Sequence, residues 1–352
     1  MTICRHFGTC GGCSYQDLPL DAYRALKRSM VVDALGRHGF ACADVHDTVE
    51  VPPNSRRRAT FKIARHGGEV LVGFHAAHSH DIVDMQECLV IASKLFAFVS
   101  GLRKIMGEIL HDGESAEVHA TDSDGGTDVA IEWRRKISPA ITAQIAGWAA
   151  KLKLARVTAN GHRLAEYATP SVQFGKARVQ FPPESFLQPT REGEDALLAK
   201  VRAALAKAKN IADLFSGCGT FTLPLAERSR VHAVELNRAA LAALEAASRA
   251  TQGLKPVSTE ARDLFKTPLS GAELTPFDAV LLDPPRVGAL AQIRALAASS
   301  VPRIAYVSCN AESFARDARI LVNSGYRMGA VTPVDQFLWS SHIELVAAFA
   351  RS

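Results

Sequence analysis

Ile211-Ala212-Asp213-Leu214-Phe215-Ser216-Gly217-Cys218-Gly219-Thr220 decides the fold of this chain. A short apolar run ends at a turn containing two glycines, and a helical pattern follows. This is how a buried parallel strand reads when it runs into a tight turn and then a helix. Gly217 and Gly219 let the backbone approach a ligand and let the helix pack on the sheet. The dinucleotide pattern G-x-G-x-x-G is incomplete, because its third glycine is missing.

Alternating strands and helices extend outward from this stretch, from about residue 181 to the end. The next strand, Val231–Val234, ends at Glu235, 22 residues past Asp213. An acid at that distance commonly hydrogen-bonds ribose hydroxyls. A glycine turn with a spaced acid, but no pyrophosphate pattern, suits S-adenosylmethionine better than NAD. Asp263, in Ala261-Arg262-Asp263-Leu264-Phe265, suits the adenine edge of the same site; a helix cap is the plain alternative. Phe277–Leu282 is the following strand and ends in Asp283-Pro284-Pro285-Arg286, a lip stiffened by two prolines. Amino-group methyltransferases usually follow such a lip with an aromatic residue, and cytosine-5 enzymes place a cysteine after a proline here. This chain has neither. Ile304–Val307 then delivers Ser308-Cys309-Asn310 to a strand end, and Glu344 opens the strand Leu345–Phe349, at whose edge it is expected. Alone, Cys309 reads as a small core residue and Glu344 as a surface carboxylate.

The amino terminus carries Cys4, Cys10 and Cys13, spaced C-x5-C-x2-C around Gly11 and Gly12. Such a loop converges thiolates on a metal, and a fourth ligand is needed for tetrahedral zinc or an iron–sulfur cluster. Cys88, at a strand end, is preferred over Cys42 because a strand holds a ligand rigidly. A helix from about Leu20 to His38 has an apolar stripe of Tyr23, Leu26, Met30, Ala34 and Leu35; Arg24, Lys27 and Arg28 are expected on a solvated face. The first unit is thus 1–50. Residues 51–180 read as an antiparallel α+β domain. Arg56-Arg57-Arg58 opens its first strand, and because a strand projects them to both faces, phosphate contact is expected from at least one of them rather than all three. Arg134-Arg135-Lys136 reads as a solvated loop.

Composition bounds the answer. The 352 residues are 47% hydrophobic and 22% charged, with a formal net charge of +5, as in ordinary globular proteins. Seven cysteines, an odd number in a long chain, argue against a secreted disulfide framework. No apolar signal core opens the chain, and no run of roughly 18 apolar residues occurs. A cytoplasmic multidomain enzyme is expected.

Cys309 and Glu344 make chemical sense as a pair. Carbon 5 of uracil is a poor nucleophile toward a sulfonium methyl group. Addition of a thiolate to carbon 6 makes carbon 5 reactive, and a base must then remove the carbon 5 proton so that the cysteine can leave. The chain resembles the S-adenosylmethionine-dependent RNA 5-methyluridine methyltransferase family, most closely the branch that carries an iron–sulfur cluster and modifies 23S ribosomal RNA. The resemblance runs through Cys4–Cys13, Cys88, Pro183–Gln188, Asp213–Thr220, Glu235, Asp283–Arg286, Ser308–Asn310 and His342–Glu344. It implies an α/β fold: a Rossmann-like class I methyltransferase domain at 181–352, a central α+β RNA-binding domain and a cluster-binding cysteine loop. It implies Cys309 as nucleophile and Glu344 as base. Gln188, Phe215, Thr220, Glu235, Asp263 and Asp283 match cofactor positions, and Cys4, Cys10, Cys13 and Cys88 match the ligands of a 4Fe–4S cluster. The implied partner is 23S ribosomal RNA; no membrane and no obligate protein partner are expected, and the chain is expected to be a monomer. No β-barrel RNA-binding domain is expected before the cysteine loop, and RNA grip is expected from the central domain. A transfer RNA uridine-5 enzyme and a non-catalytic RNA-binding factor are the alternatives.

Overall fold

The computed structural model describes residues 3–351. Helix α1 (Leu20–Arg37) and the short strand β1 (Val49–Glu50) follow the cysteine loop. The central layer holds β2 (Arg58–His66), β3 (Glu69–His75), β4 (Ile82–Asp84), α2 (Ser93–Ile109), β5 (Ser115–Ser123), β6 (Gly126–Trp133), α3 (Pro139–Lys151), β7 (Arg156–Ala159) and β8 (His162–Glu166). A hairpin of β9 (Ser171–Phe174) and β10 (Ala177–Gln180) leads to α4 (Arg191–Ala204). The last part runs β11 (Asn210–Leu214), α5 (Thr222–Ala226), β12 (Arg230–Glu235), α6 (Arg238–Ala250), β13 (Val257–Ala261), β14 (Ala279–Leu282), α7 (Leu290–Ala297), β15 (Arg303–Ser308), α8 (Ala311–Asn323), β16 (Tyr326–Met328), β17 (Thr332–Asp335) and β18 (Glu344–Arg351).

The catalytic sheet has the order β1-β17-β18-β15-β14-β11-β12-β13, with β16 also pairing β18. Strands β11 to β15 are mutually parallel where they pair, and β18 inserts antiparallel beside β15. Helices on both faces bury β14 and the interior of β15 completely, which is why their sequences are unbroken apolar runs rather than alternating ones. The order reverses at β11 and β14, and open α/β sheets bind ligands in the crevice outside the carboxyl ends of the strands at such a point. Helix α1 belongs to this layer: Val31, Leu35 and Val45 share one core with Phe314, Leu321 and Val331, and β1 pairs with β17. Residues 20–50 are therefore joined to 181–352 by packing. The β9–β10 hairpin packs Val172, Phe174 and Val179 against Leu223, Ala240 and Ala247, and so also leans on the catalytic layer.

The central sheet has the order β4-β3-β2-β5-β6-β7-β8. It is not wholly antiparallel as its sequence suggests: β6 and β7 run parallel, joined by the crossover helix α3. Leu95, Phe98, Leu102 and Ile105 of α2 and Trp148 of α3 cover one face.

Two basic expectations change. Lys27 is not on a solvated face; it is fully buried. Arg57 is also buried, with Nη2 donating to Glu194 Oε2 at 2.5 Å and Nε donating to the Gln188 carbonyl at 2.9 Å. It cannot touch a phosphate, because strand alternation turns it inward between the partly buried Arg56 and Arg58. Arg57→Met should leave the salt dependence of RNA binding unchanged and cost about 3–5 kcal/mol of stability by leaving Glu194 buried and unpaired. Denaturant unfolding and a binding salt titration check both halves. Arg135 is likewise held, over the Trp133 ring and against Glu114.

Candidate active site

Four strand ends build the crevice. After β11 the chain turns through Phe215, whose φ of 64° is unusual for a residue with a side chain, and Gly217, at φ 56°. A Cβ on Gly217 would meet nothing within 4 Å, so the turn presents bare backbone to open space. Glu235, at the end of β12, accepts hydrogen bonds from the backbone N–H of Gly217 at 3.1 Å and of Asn237 at 2.8 Å. This fixes one carboxylate beside the turn with lone pairs to spare. Beyond β13, Asp263 caps no helix. Its Oδ1 accepts the Phe265 N–H at 3.1 Å, and Lys266 beside it holds the carboxyl below its usual range. Two residues that sequence reasoning missed flank this corner: Leu236 is 62% exposed and Phe265 45% exposed, with the Phe265 ring centroid 5.5 Å from that of Phe215 and the two rings tilted by 52°. Exposed apolar side chains around a carboxylate can sandwich a flat heterocycle. The signal was their position just after each acid, one residue past Glu235 and two past Asp263.

Asp283 follows β14. Its Oδ2 accepts from Gln188 Nε2 at 3.1 Å, and Gln188 Oε1 in turn accepts from Gln336 Nε2 at 2.9 Å. This buried amide relay sets the orientation of Asp283 from two other segments. Thr220, also buried, lies in the turn before α5. At the floor, Thr222 donates to Asp213 Oδ2 at 2.5 Å, while Asp213 Oδ1 and Ser216 Oγ have no protein partner.

Cys309 follows β15 and is partly buried; Asn310 then caps α8 and donates its side-chain N–H to the Arg286 carbonyl at 3.1 Å. Ser308 pairs with Leu345, so the next step of the antiparallel register sets Cys309 opposite Glu344. Residues facing each other in this way have Cβ atoms about 5 Å apart on one face. Glu344 opens β18, as expected, but it is not the surface carboxylate that its sequence alone suggests. Strand β18 is paired on both sides, Glu344 is 3% exposed, and its Oε2 has no hydrogen-bond partner. A carboxyl oxygen left unsatisfied inside a protein marks a place for a ligand atom.

The electrostatics follow from burial. Desolvation lifts Asp213 to about 7 and Asp283 to about 8, with Asp213 adding to the rise at Asp283 and Gln188 opposing it. Burial, then Asp283, raises Glu344 well above the carboxylate range. Burial pushes the Cys309 thiol up to about 12; Glu344 and Asp283 add to this, and the Arg286 guanidinium opposes it. A cationic ligand here would draw these acids back toward ionisation.

A pH test follows for Asp283. Its folded value lies above its ordinary 3.8, so the folded protein binds the proton more tightly. The resulting stability is fully present near pH 4 and is lost as pH rises toward 8, by at most about 1.4 kcal/mol per pH unit. Asn keeps an acceptor for Gln188 and cannot ionise. Asp283→Asn should therefore melt higher than the wild type at pH 8 and closer to it near pH 4; parallel pH profiles would refute the assignment.

At the other end of the chain, Cys4, Cys10, Cys13 and Cys88 lie near enough that the neighbouring sulfurs push up Cys13 and Cys88, beyond the larger effect of burial. Cys42 is exposed. The loop docks on the β3–β4 hairpin through a Cys10–Ala76 bridge, and a Cβ on Gly11 would lie 3.0 Å from the His75 carbonyl oxygen. Glycine is required there by the close approach of two backbones.

Residues 165–351 match the family model described as tRNA (Uracil-5-)-methyltransferase. The chain belongs to this RNA (uracil-5-)-methyltransferase family. An uncharacterized RNA methyltransferase of Rhizobium meliloti is 42% identical over 99% of this chain and 85% of its own. A 23S rRNA (uracil(1939)-C(5))-methyltransferase of Thiobacillus denitrificans is 32% identical over 99% of this chain and 85% of its own. The fold matches the crystal structure of Pyrococcus abyssi tRNA (uracil-54, C5)-methyltransferase with a TM-score of 0.75, covering 96% of this chain and 86% of that one at 22% identity. This uracil-5 methyltransferase is an S-adenosylmethionine-dependent enzyme acting on RNA. Among the described residues, no helix is long and apolar enough to cross a membrane.

Proposed function

We propose that the enzyme methylates carbon 5 of a uridine in 23S ribosomal RNA through a covalent Cys309 adduct at carbon 6. The observation that carries this reading is the facing register of Cys309 and a buried Glu344 with one unpartnered oxygen. The Cys309 sulfur, as thiolate, adds to carbon 6, and the ring electrons move toward the carbonyl oxygen at carbon 4. Carbon 5 would then take the methyl group from the sulfonium donor, the electron pair of the broken methyl–sulfur bond staying on the sulfur of a neutral thioether. Glu344, as carboxylate, removes the carbon 5 proton; the double bond re-forms and the thiolate leaves. Arg286, whose charge favours the Cys309 thiolate, and Asp283, held by Gln188, stand around the reacting ring.

S-adenosylmethionine supplies an electrophilic methyl group on a cationic sulfur. The donor set fits it: Glu235 for the ribose, Leu236 and Phe265 for the faces of adenine, Asp263 for its edge, and the Asp213–Asp283 floor for the positive charge. Phe215, Thr220 and Gln188 complete the wall. The mouth carries groups suited to RNA: Phe186 is 59% exposed with the Arg58 guanidinium 5.0 Å from its ring centroid, and Arg286 is exposed on the lip.

Cys4, Cys10, Cys13 and Cys88 would hold a 4Fe–4S cluster. Among the described residues, no three of these sulfurs lie within 4.8 Å of one another. A single tetrahedral zinc, with Zn–S bonds of about 2.3 Å, needs sulfurs roughly 3.8 Å apart. A cluster spreads its ligands over four irons. Arg56 faces Cys88 and Cys13, which suits an anionic cluster.

The 23S assignment follows the Thiobacillus relative, whereas the family description names transfer RNA. Mass spectrometry of both RNAs from cells with and without the gene separates them. Loss of methyl groups at defined 23S uridines, restored by wild type and not by Cys309→Ala, is expected. Loss confined to transfer RNA would replace the substrate, and no loss in either would reject the reading.

A further inference from the structure

We propose that Lys27 is a positioning residue for the proton-abstracting step: its buried ammonium pins both ends of the segment that leads into Glu344. The inference rests on the proposed role of Glu344 as base. Lys27 Nζ lies 2.8 Å from Asp335 Oδ1 and donates to the carbonyls of Phe337, at 3.2 Å, and His342, at 2.7 Å. These three acceptors come from the end of β17 and from both sides of the Phe337–His342 loop. The Tyr23 hydroxyl donates to Asp335 Oδ2 and accepts the Trp339 N–H at 2.7 Å, fixing the middle of the same loop.

A solvated lysine could not do this. An ammonium fully removed from water must satisfy its three N–H groups inside the protein, and here each goes to an atom of one short segment. A single residue, Ile343, separates the last pinned carbonyl, at His342, from Glu344. Its other end, Gln336, is the residue that holds Gln188, and through it Asp283. One charge on α1 thus fixes a loop whose exits set both carboxyls facing Cys309. Lys27 touches none of the reacting atoms; it acts through Glu344.

The reaction separates positioning from plain stability. Thiol addition needs Cys309, while release needs a correctly placed Glu344. An anchor defect should therefore let the protein–RNA adduct form and slow its breakdown. The test uses the full-length, reconstituted enzyme with 23S RNA transcript and S-adenosylmethionine, with adduct read on denaturing gels. Lys27→Met alone leaves Asp335 buried and unpaired, so the main variant is the double Lys27→Met/Asp335→Asn, which removes both charges at similar volume. The expected result is a folded protein whose kcat falls by about 20-fold, with KM for RNA changed less than about threefold, and with adduct accumulating. Tyr23→Phe, which removes a single hydroxyl, should show the same pattern at about fivefold, and it decides the matter if the double variant does not fold.

Glu344→Gln is the control. If it accumulates adduct and the anchor variants lose kcat without adduct, or keep wild-type kcat, the positioning role is overturned. If Glu344→Gln itself forms no adduct, the base assignment fails instead.

Discussion

Cys309→Ala is expected to reduce methyl transfer to uridine below detection while leaving RNA binding measurable. Without the thiol no adduct forms at carbon 6, and carbon 5 stays too electron-poor to take a methyl group. Glu344→Gln should behave differently. It keeps the thiol and the shape of the buried site but removes the base, so turnover should fall by about 10²–10⁴-fold. Protein–RNA adduct should remain visible on a denaturing gel. The contrast is sharper than either loss alone, because two inactive variants of one site should give opposite adduct signals. Labelled methyl transfer and the gel measure both from one reaction. Undiminished turnover by Cys309→Ala would exclude the covalent route. A further consequence concerns protons. Burial holds the Cys309 thiol up at about 12 and Glu344 well above its usual range, which disfavours the ionised form of each. A cationic methyl donor in the site would favour the ionised forms that the proposed chemistry uses.

The residues that announce this chemistry are legible because each is a break in a local pattern. Cys309 interrupts an apolar strand, Asp283 precedes two prolines, and Glu235 ends a strand at a fixed distance from Asp213. Burial of charge was not legible. Lys27 stands four residues from Tyr23 and four from Val31, on the buried stripe of α1 itself, yet a lysine among apolar positions reads as the margin of a solvated face. Its acceptors, Asp335 and the carbonyls of Phe337 and His342, come from more than 300 residues away, and no local window contains them. Glu344 follows the same logic. A carboxylate opening a strand reads as a surface residue until β17 is known to pair on one side and β15 on the other. The parallel β6–β7 pair escaped because both strands are almost wholly buried and neither shows an alternation; only the handed crossover through α3 gives their direction. Leu236 and Phe265 were visible as letters, but their meaning lies in being exposed, which composition does not report.

Cys10→Ser should remove the brown colour of anaerobically purified enzyme and lower bound iron from about four per chain toward zero. A colourless wild-type protein containing only zinc would count against the iron–sulfur assignment. The consequences should reach the active site, because the cysteine loop is bonded to the loop before Glu344. The N–H groups of Ser14 and Tyr15, directly after Cys13, both donate to the Trp339 carbonyl, at 2.6 and 3.1 Å. Cys13 and Cys88 pack with Leu338 and Trp339 in one small apolar cluster. Hydrogen exchange across 337–343 should therefore rise when the cluster is lost, while exchange in β12 and β13, on the far side of the sheet, stays unchanged. Methylation should fall by about tenfold, short of the Cys309→Ala effect, because Lys27 and Tyr23 still hold the loop from within. The chemistry moves a methyl group and a proton but no electron. Reduction of the loaded protein should accordingly leave turnover unchanged, and a strong response to reduction would show that the cluster does more than brace the loop.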